Sequence, residues 1–67
     1  MGGNAVNSYR VYFFDAANHI IHARNVEAVD DAEAVTRADV LCQEVPACIA
    51  VEIWQAFRRL HRQARAA

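Results

Sequence analysis

Apolar positions along the chain alternate, then recur at helical spacing, then alternate again. From Tyr9 to Phe14 every residue except Arg10 is aromatic or Val, the types that suit a pleated, packed backbone. A strand is predicted there. Successive side chains point to opposite faces, so Tyr9, Val11 and Phe13 share one side and Arg10, Tyr12 and Phe14 the other. Asp15-Ala-Ala-Asn18 is the turn, because Asp starts turns and Asn tolerates the left-handed backbone where Gly is usual. A second strand follows over His19–Val26. Pairing its Ile21 and Ala23 with Val11 and Phe13 gives a consistent apolar layer, and leaves Ile20, His22 and Arg24 beside Tyr12 and Phe14.

The period then changes. Ala34, Val35, Ala38, Leu41, Cys42 and Val45 recur at helical spacing and form one apolar stripe. Asp30 fits the N-cap, with Glu33 as the capping-box partner and Asp31 adding favourable charge to the first turn. Glu33 and Arg37 form an i,i+4 pair on the wet side. Pro46 ends the helix. A third strand is predicted over Cys48–Trp54, with Ile49, Val51 and Ile53 on its core face and Ala50, Glu52 and Trp54 facing away. Two readings compete for Gln55–Ala67. Trp54, Phe57, Leu60 or His61, and Ala64 have helical spacing, while a short fourth strand over Arg58–Arg62 is the rival.

One helix covers only one side of a sheet. The expected fold is therefore α+β of type ββαβ(β), a three- to four-stranded antiparallel sheet with one helix packed on one face. The strand order is 2-1-3, and a fourth strand would lie beside the third. Residues 1–8 read as a flexible leader, 9–62 as a single small domain and 63–67 as a C-terminal tail.

The elements Tyr-Arg-Val-Tyr-Phe-Phe-Asp (9–15), His-Ile-Ile (19–21), Asp-Asp-Ala-Glu-Ala (30–34) and Val-Glu-Ile-Trp-Gln (51–55) resemble a family of small uncharacterised bacterial proteins. In order and spacing the resemblance covers about Tyr9–Arg62. It implies a strand–strand–helix–strand–strand pattern, a domain of unknown function, and no assigned activity, cofactor or catalytic residue. Members of that family usually carry Gly at the positions of Asn18 and Ala56. Asn18 is an acceptable substitute, whereas a positive φ costs Ala about 1 kcal/mol and counts against a tight hairpin at Ala56.

Charge changes the picture in one place. The 67-residue chain has a net charge of −1, which gives it no overall electrostatic preference for a partner. The distribution is uneven, with eight acids against Arg10, Arg24 and Arg37 up to residue 53, and then Arg58, Arg59, Arg62 and Arg65 with no acid. Two cysteines are too few for a disulfide framework. Met1–Ser8 lacks the positive start and apolar run of an export signal, and no apolar stretch is long enough to span a bilayer. The expectation is a cytoplasmic protein with reduced thiols and no membrane partner.

Candidate chemistry concentrates on the face away from the helix. Arg10, Tyr12, Phe14, Ile20, His22, Arg24, Glu52 and Trp54 make an interaction surface in which aromatic and Arg residues, the types enriched at binding hot spots, stand together. Left bare, so many large apolar groups would form a patch that monomers rarely expose. A second copy of the chain, the chain's own end through Phe57 and Leu60, or another protein would cover it. The alternative is a nucleic acid or acidic partner, stacked on the aromatic face and met by the basic tail Arg58, Arg59, Arg62 and Arg65. No metal site is expected. His19 and His22 lie three apart in a strand and project to opposite faces, and the Cys42–Cys48 spacing matches no usual zinc knuckle; a disulfide across that connection is conceivable but is not favoured in the cytoplasm. Helix capping accounts for Asp30, Asp31 and Glu33 without a reaction, and no Gly-rich phosphate loop is present. The chain is read as a non-enzyme without cofactor.

Overall fold

The computed structural model describes residues 5–65, so residues 1–4 of the expected leader and 66–67 of the tail lie outside the described residues. The chain forms β1 (Asn7–Phe14), β2 (Ile20–Ala28), α1 (Asp31–Gln43), β3 (Ala50–Gln55) and β4 (Arg58–Ala64). The strands make one four-stranded sheet of order β2-β1-β3-β4, antiparallel at every pairing. The α+β expectation holds, and Gln55–Ala67 resolves in favour of the fourth strand. β1 starts two residues earlier than predicted, at Asn7, and β4 runs to Ala64.

The core lies between α1 and one face of the sheet. Tyr9, Val11 and Phe13 of β1 meet Val26 and Ala28 of β2, Val51 and Ile53 of β3, and Ala34, Ala38 and Cys42 of α1. The helix contributes small residues and the sheet large ones. Three small side chains on one helical stripe let α1 settle close onto Tyr9 and Phe13, while Val35, Leu41 and Val45 pack at the margins. Tyr9 brings a hydroxyl into this layer and satisfies it by donating to Asp31 Oδ1 at 2.8 Å. Burial first, and then that bond, raise its pKa above the ordinary tyrosine value.

Both ends of α1 are capped by identifiable groups. Asp30 has extended backbone and its Oδ1 accepts from Glu33 N at 2.8 Å. Glu33 Oε1 reaches back to Val29 N at 3.0 Å, one residue beyond the N-cap. The last turn carries no basic residue of its own. Arg65, just past β4, supplies the charge, donating to the carbonyls of Gln43 at 3.2 Å, Cys48 at 3.2 Å and Val45 at 3.4 Å. Cys42 and Cys48 are joined in a disulfide, with Cα atoms 5.5 Å apart. This corrects the expectation of reduced thiols: the helix stripe aims Cys42 inward, and the turn around Pro46 returns Cys48 into the same buried layer.

Both hairpins turn through a positive-φ residue. At the first, Asn18 has φ 64°. Asp15 closes the loop there, its Oδ1 accepting from Ala17 N and His19 N, each at 2.9 Å. At the second, Ala56 takes φ 54° despite its Cβ, so the hairpin forms without the glycine. Ile49, expected on the core face of the third strand, precedes β3 and is 46% exposed. Its backbone still pairs with Phe14 and Arg65, but the disulfide makes Cys48 the buried residue at that end.

Candidate functional site

The face of the sheet away from α1 presents a connected set of aromatic and charged side chains. Arg10 of β1 pairs with Trp54 of β3, and Tyr12 with Glu52. Tyr12 and Trp54 meet edge to face, with ring centroids 6.4 Å apart and planes at 85°. The Arg10 guanidinium lies 5.7 Å from the Tyr12 ring centre and donates to Asn25 Oδ1 at 2.9 Å. Arg62 lies 4.6 Å from the Phe14 ring centre, which helps to bring Phe14 down to 7% exposure on a face the helix does not reach.

Glu52 is the hub. Its carboxylate accepts from Trp54 Nε1 at 3.1 Å, from Arg62 Nη1 at 2.6 Å and from Arg59 Nη1 at 3.5 Å. Arg62 also donates to Asn18 Oδ1 at 2.8 Å, which ties β4 to the β1–β2 turn. The Glu52 side chain is only 14% exposed. Desolvation by itself pushes its pKa up. The bond from Trp54, the bond and charge of Arg62, and the charge of Arg59 together outweigh that and hold the carboxyl below the ordinary glutamate value.

Six of the eight residues expected on this surface are there: Arg10, Tyr12, Phe14, Ile20, Glu52 and Trp54. His22 and Arg24 are not. The β1–β2 register shifts between Phe13 and Phe14, so that Phe14 pairs with Ile20 but Phe13 with His22 and Val11 with Arg24. Ile21 is the extra residue. From His22 onward every side chain is therefore on the opposite face to the one predicted, and Ala23, expected in the core layer, pairs with Tyr12 instead. His22 lies against Phe13 on the helix side, with ring centroids 5.3 Å apart.

The basic tail is also redistributed. Arg59 and Arg62 are held by Glu52, Arg65 caps the helix end, and Arg58 sits beside the β3–β4 turn. They do not form one basic stripe. Phe57 and Leu60 do not cover the open face: Phe57 is 98% exposed at the hairpin tip, and Leu60 packs against the core on the other side.

A concavity of about 390 Å³ runs between β2 and α1. Arg24 and Val26 line it from the strand, and Arg37, Val40 and Leu41 from the helix. The bulge at Ile21 turns Arg24 to the helix side, against the predicted register, and so forms one wall of this groove. The alternation of Arg24, Val26 and Ala28 at the end of β2 is the signal that would have found it.

Among the described residues no group of three or more His, Cys, Asp or Glu side chains stands together as metal ligands, and no helix is long and apolar enough to cross a membrane. Comparison with protein-family models, with curated proteins and with solved structures returns no match in any of the three.

Proposed function

We propose that the chain is a small, non-enzymatic interaction module that docks through the open face of its sheet, in the first place onto a second copy of itself. The observation that carries this reading is the Tyr12–Trp54 pair, half-buried between Arg10 and the Arg59–Glu52–Arg62 cluster. These are hot-spot residue types, with Trp54 and the arginines held by hydrogen bonds and Tyr12 by its packing against Trp54 and Arg10, so little side-chain entropy remains to be lost on docking. Four strands at ~4.8 Å spacing and about 20 Å of length present roughly 400 Å² per copy. That is about half of a standard interface contribution, and the expected dimer is therefore weak.

The nucleic-acid alternative is less well supported. Glu52 holds two of the four C-terminal arginines and the helix end a third, which removes them from phosphate binding. The proposed lineage is the family of small bacterial ββαββ proteins that the Tyr9–Asp15 and Val51–Gln55 segments resemble. A cytoplasmic location, read from the lack of an export signal in Met1–Ser8 and of an apolar span, implies reduced thiols, and the Cys42–Cys48 bridge weighs against it.

Sedimentation velocity across about 10–500 µM tests the reading, with a dimer fraction that grows with concentration as the expected result. Trp54→Ala should abolish that growth. A monomer at about 500 µM, or a dimer indifferent to Trp54→Ala, overturns it.

A further inference from the structure

Among the described residues β2 lies at an edge of the sheet, paired with β1 on one side only. We propose that this edge and the α1–β2 groove form a second docking site, separate from the open face, which takes an extended acidic peptide of a partner protein as a fifth strand.

The backbone pattern defines which groups are free. Phe14 O accepts from Ile49 N on the β3 side, so even-numbered residues of β1 turn their backbone groups toward β3 and odd-numbered ones toward β2. Ser8, Arg10 and Tyr12 are partnered in β2 by Glu27, Asn25 and Ala23. Those three residues therefore turn their N–H and C=O groups away from β1, to the outside. They are a ladder of donors and acceptors ready for an added strand.

Side chains then set the chemistry of the occupant. An added strand bonded to Ala23, Asn25 and Glu27 places the residues opposite Arg24 and Val26 on the helix side, over the groove. Opposite Val26, with Val40 and Leu41 as the far wall, an apolar side chain fits. Opposite Arg24, a carboxylate fits. Arg24 makes no ion pair among the described residues. Arg37 adds a second cation from the helix wall, in an exposed 3.6 Å pair with Glu33 that leaves it able to share. Glu27 is the one acid that lines the groove, and its pairing with Ser8 turns its side chain to the open face, so on the helix side an acidic guest meets Arg24, with Arg37 beside it. A second copy of β2 suits the site poorly. The helix-side residues of that strand are His22, Arg24, Val26 and Ala28, which offer no acid to Arg24 in any register.

The experiment uses ¹⁵N-labelled protein and a blocked peptide of about seven residues whose one face carries Val, Glu and Val in turn at every second position, with Thr between them, and a control of the same length with Lys in place of Glu. The Glu/Val peptide should shift the amides of Ala23, Asn25 and Glu27 and slow their hydrogen exchange. The Lys/Val peptide, and the Glu/Val peptide against Arg24→Glu, should each bind at least about tenfold more weakly. Arg24 is exposed, so an unchanged melting temperature shows that the variant is folded. No shift at about 1 mM, equal binding of both peptides, or shifts centred on Tyr12 and Trp54 would overturn the proposal. So would protection of the same amides in peptide-free protein that rises with protein concentration, since that means β2 pairs with itself.

Discussion

Reduction of the Cys42–Cys48 bridge has an outcome that follows from chain length alone. The sequence separation of 6 closes a ring of seven residues, 42 through 48. In the chain-entropy treatment such a ring removes about 8 cal/mol/K from the unfolded chain, or about 2.4 kcal/mol at 25 °C. A domain of this length has a total stability of roughly 3–10 kcal/mol, so the bridge contributes a large share of it. Packing changes little. Both cysteines are buried, and a reduced Cys occupies the same site as a small apolar side chain. With a melting entropy of about 2 cal/mol/K per residue, the loss corresponds to a fall in Tm of about 15–20 °C.

Because the bridge is buried, reductant has to act on unfolded protein. The protein is unfolded in denaturant with a phosphine, refolded under reductant, and checked by alkylation and mass for two free thiols. Far-UV circular dichroism then compares the melts of the two forms. A fall of less than about 5 °C with both thiols free refutes the loop-entropy account. Arg65 straps the same turn through the carbonyls of Gln43, Val45 and Cys48. Arg65→Ala should therefore cost more in the reduced protein than in the oxidised one, because each restraint partly substitutes for the other.

Glu52 gives the acid limb of stability. Its folded pKa is depressed, so its contribution is complete above the unfolded value of about 4.3 and is lost as pH falls through the lower folded value. Glu52→Gln should cost about 1.5–3 kcal/mol at pH 7, and its deficit against the parent should close as pH falls below about 4. Urea titrations read by Trp54 fluorescence check this, and a deficit that stays constant down to about pH 2.5 contradicts the linkage. At the second hairpin Ala56 holds φ 54°, so Ala56→Gly should stabilise the protein by about 0.5–1 kcal/mol. Asn18→Gly should give a smaller gain, because Asn already tolerates φ 64°. Thermal melts that show no gain for Ala56→Gly, or an equal gain for both, go against the strain argument.

Local signals and strong periodicity were legible. The β1 alternation placed Tyr9, Val11 and Phe13 in the core, and the helix stripe placed Ala34, Ala38 and Cys42 against them. Asp30 read as an N-cap because its chemistry acts over three residues. What was not legible depends on contacts between segments far apart in the chain. Arg65 caps a helix that ends more than twenty residues earlier. Arg59 and Arg62 read as a free basic run because their carboxylate lies on another strand. Cys42 and Cys48 read as a small apolar residue and a strand residue, since composition carries the redox argument and says nothing about inward geometry.

The reversal of His22 and Arg24 relative to the predicted register has an energetic reason. Carried through without a bulge, the predicted register puts Asn25 and Glu27 on the helix side, where Val26 and Ala28 now lie buried. Burying an unpaired carboxylate there costs several kcal/mol, whereas a bulge costs about one ladder bond, roughly 1 kcal/mol. The bulge wins, and the extra residue at Ile21 swings Arg24 over to the helix and creates the groove. The shift between Ile53 and Trp54 acts in the same way on the other edge. Trp54 pairs with Arg59 and Ile53 with His61, so Leu60 is skipped. Arg59 and Arg62 are three apart in a strand, and would point to opposite faces in a regular ladder. Skipping Leu60 puts both on Glu52. Each candidate surface of this protein thus depends on one inserted strand residue, and each insertion keeps the apolar side chains around it in the core while turning arginines to where they are used.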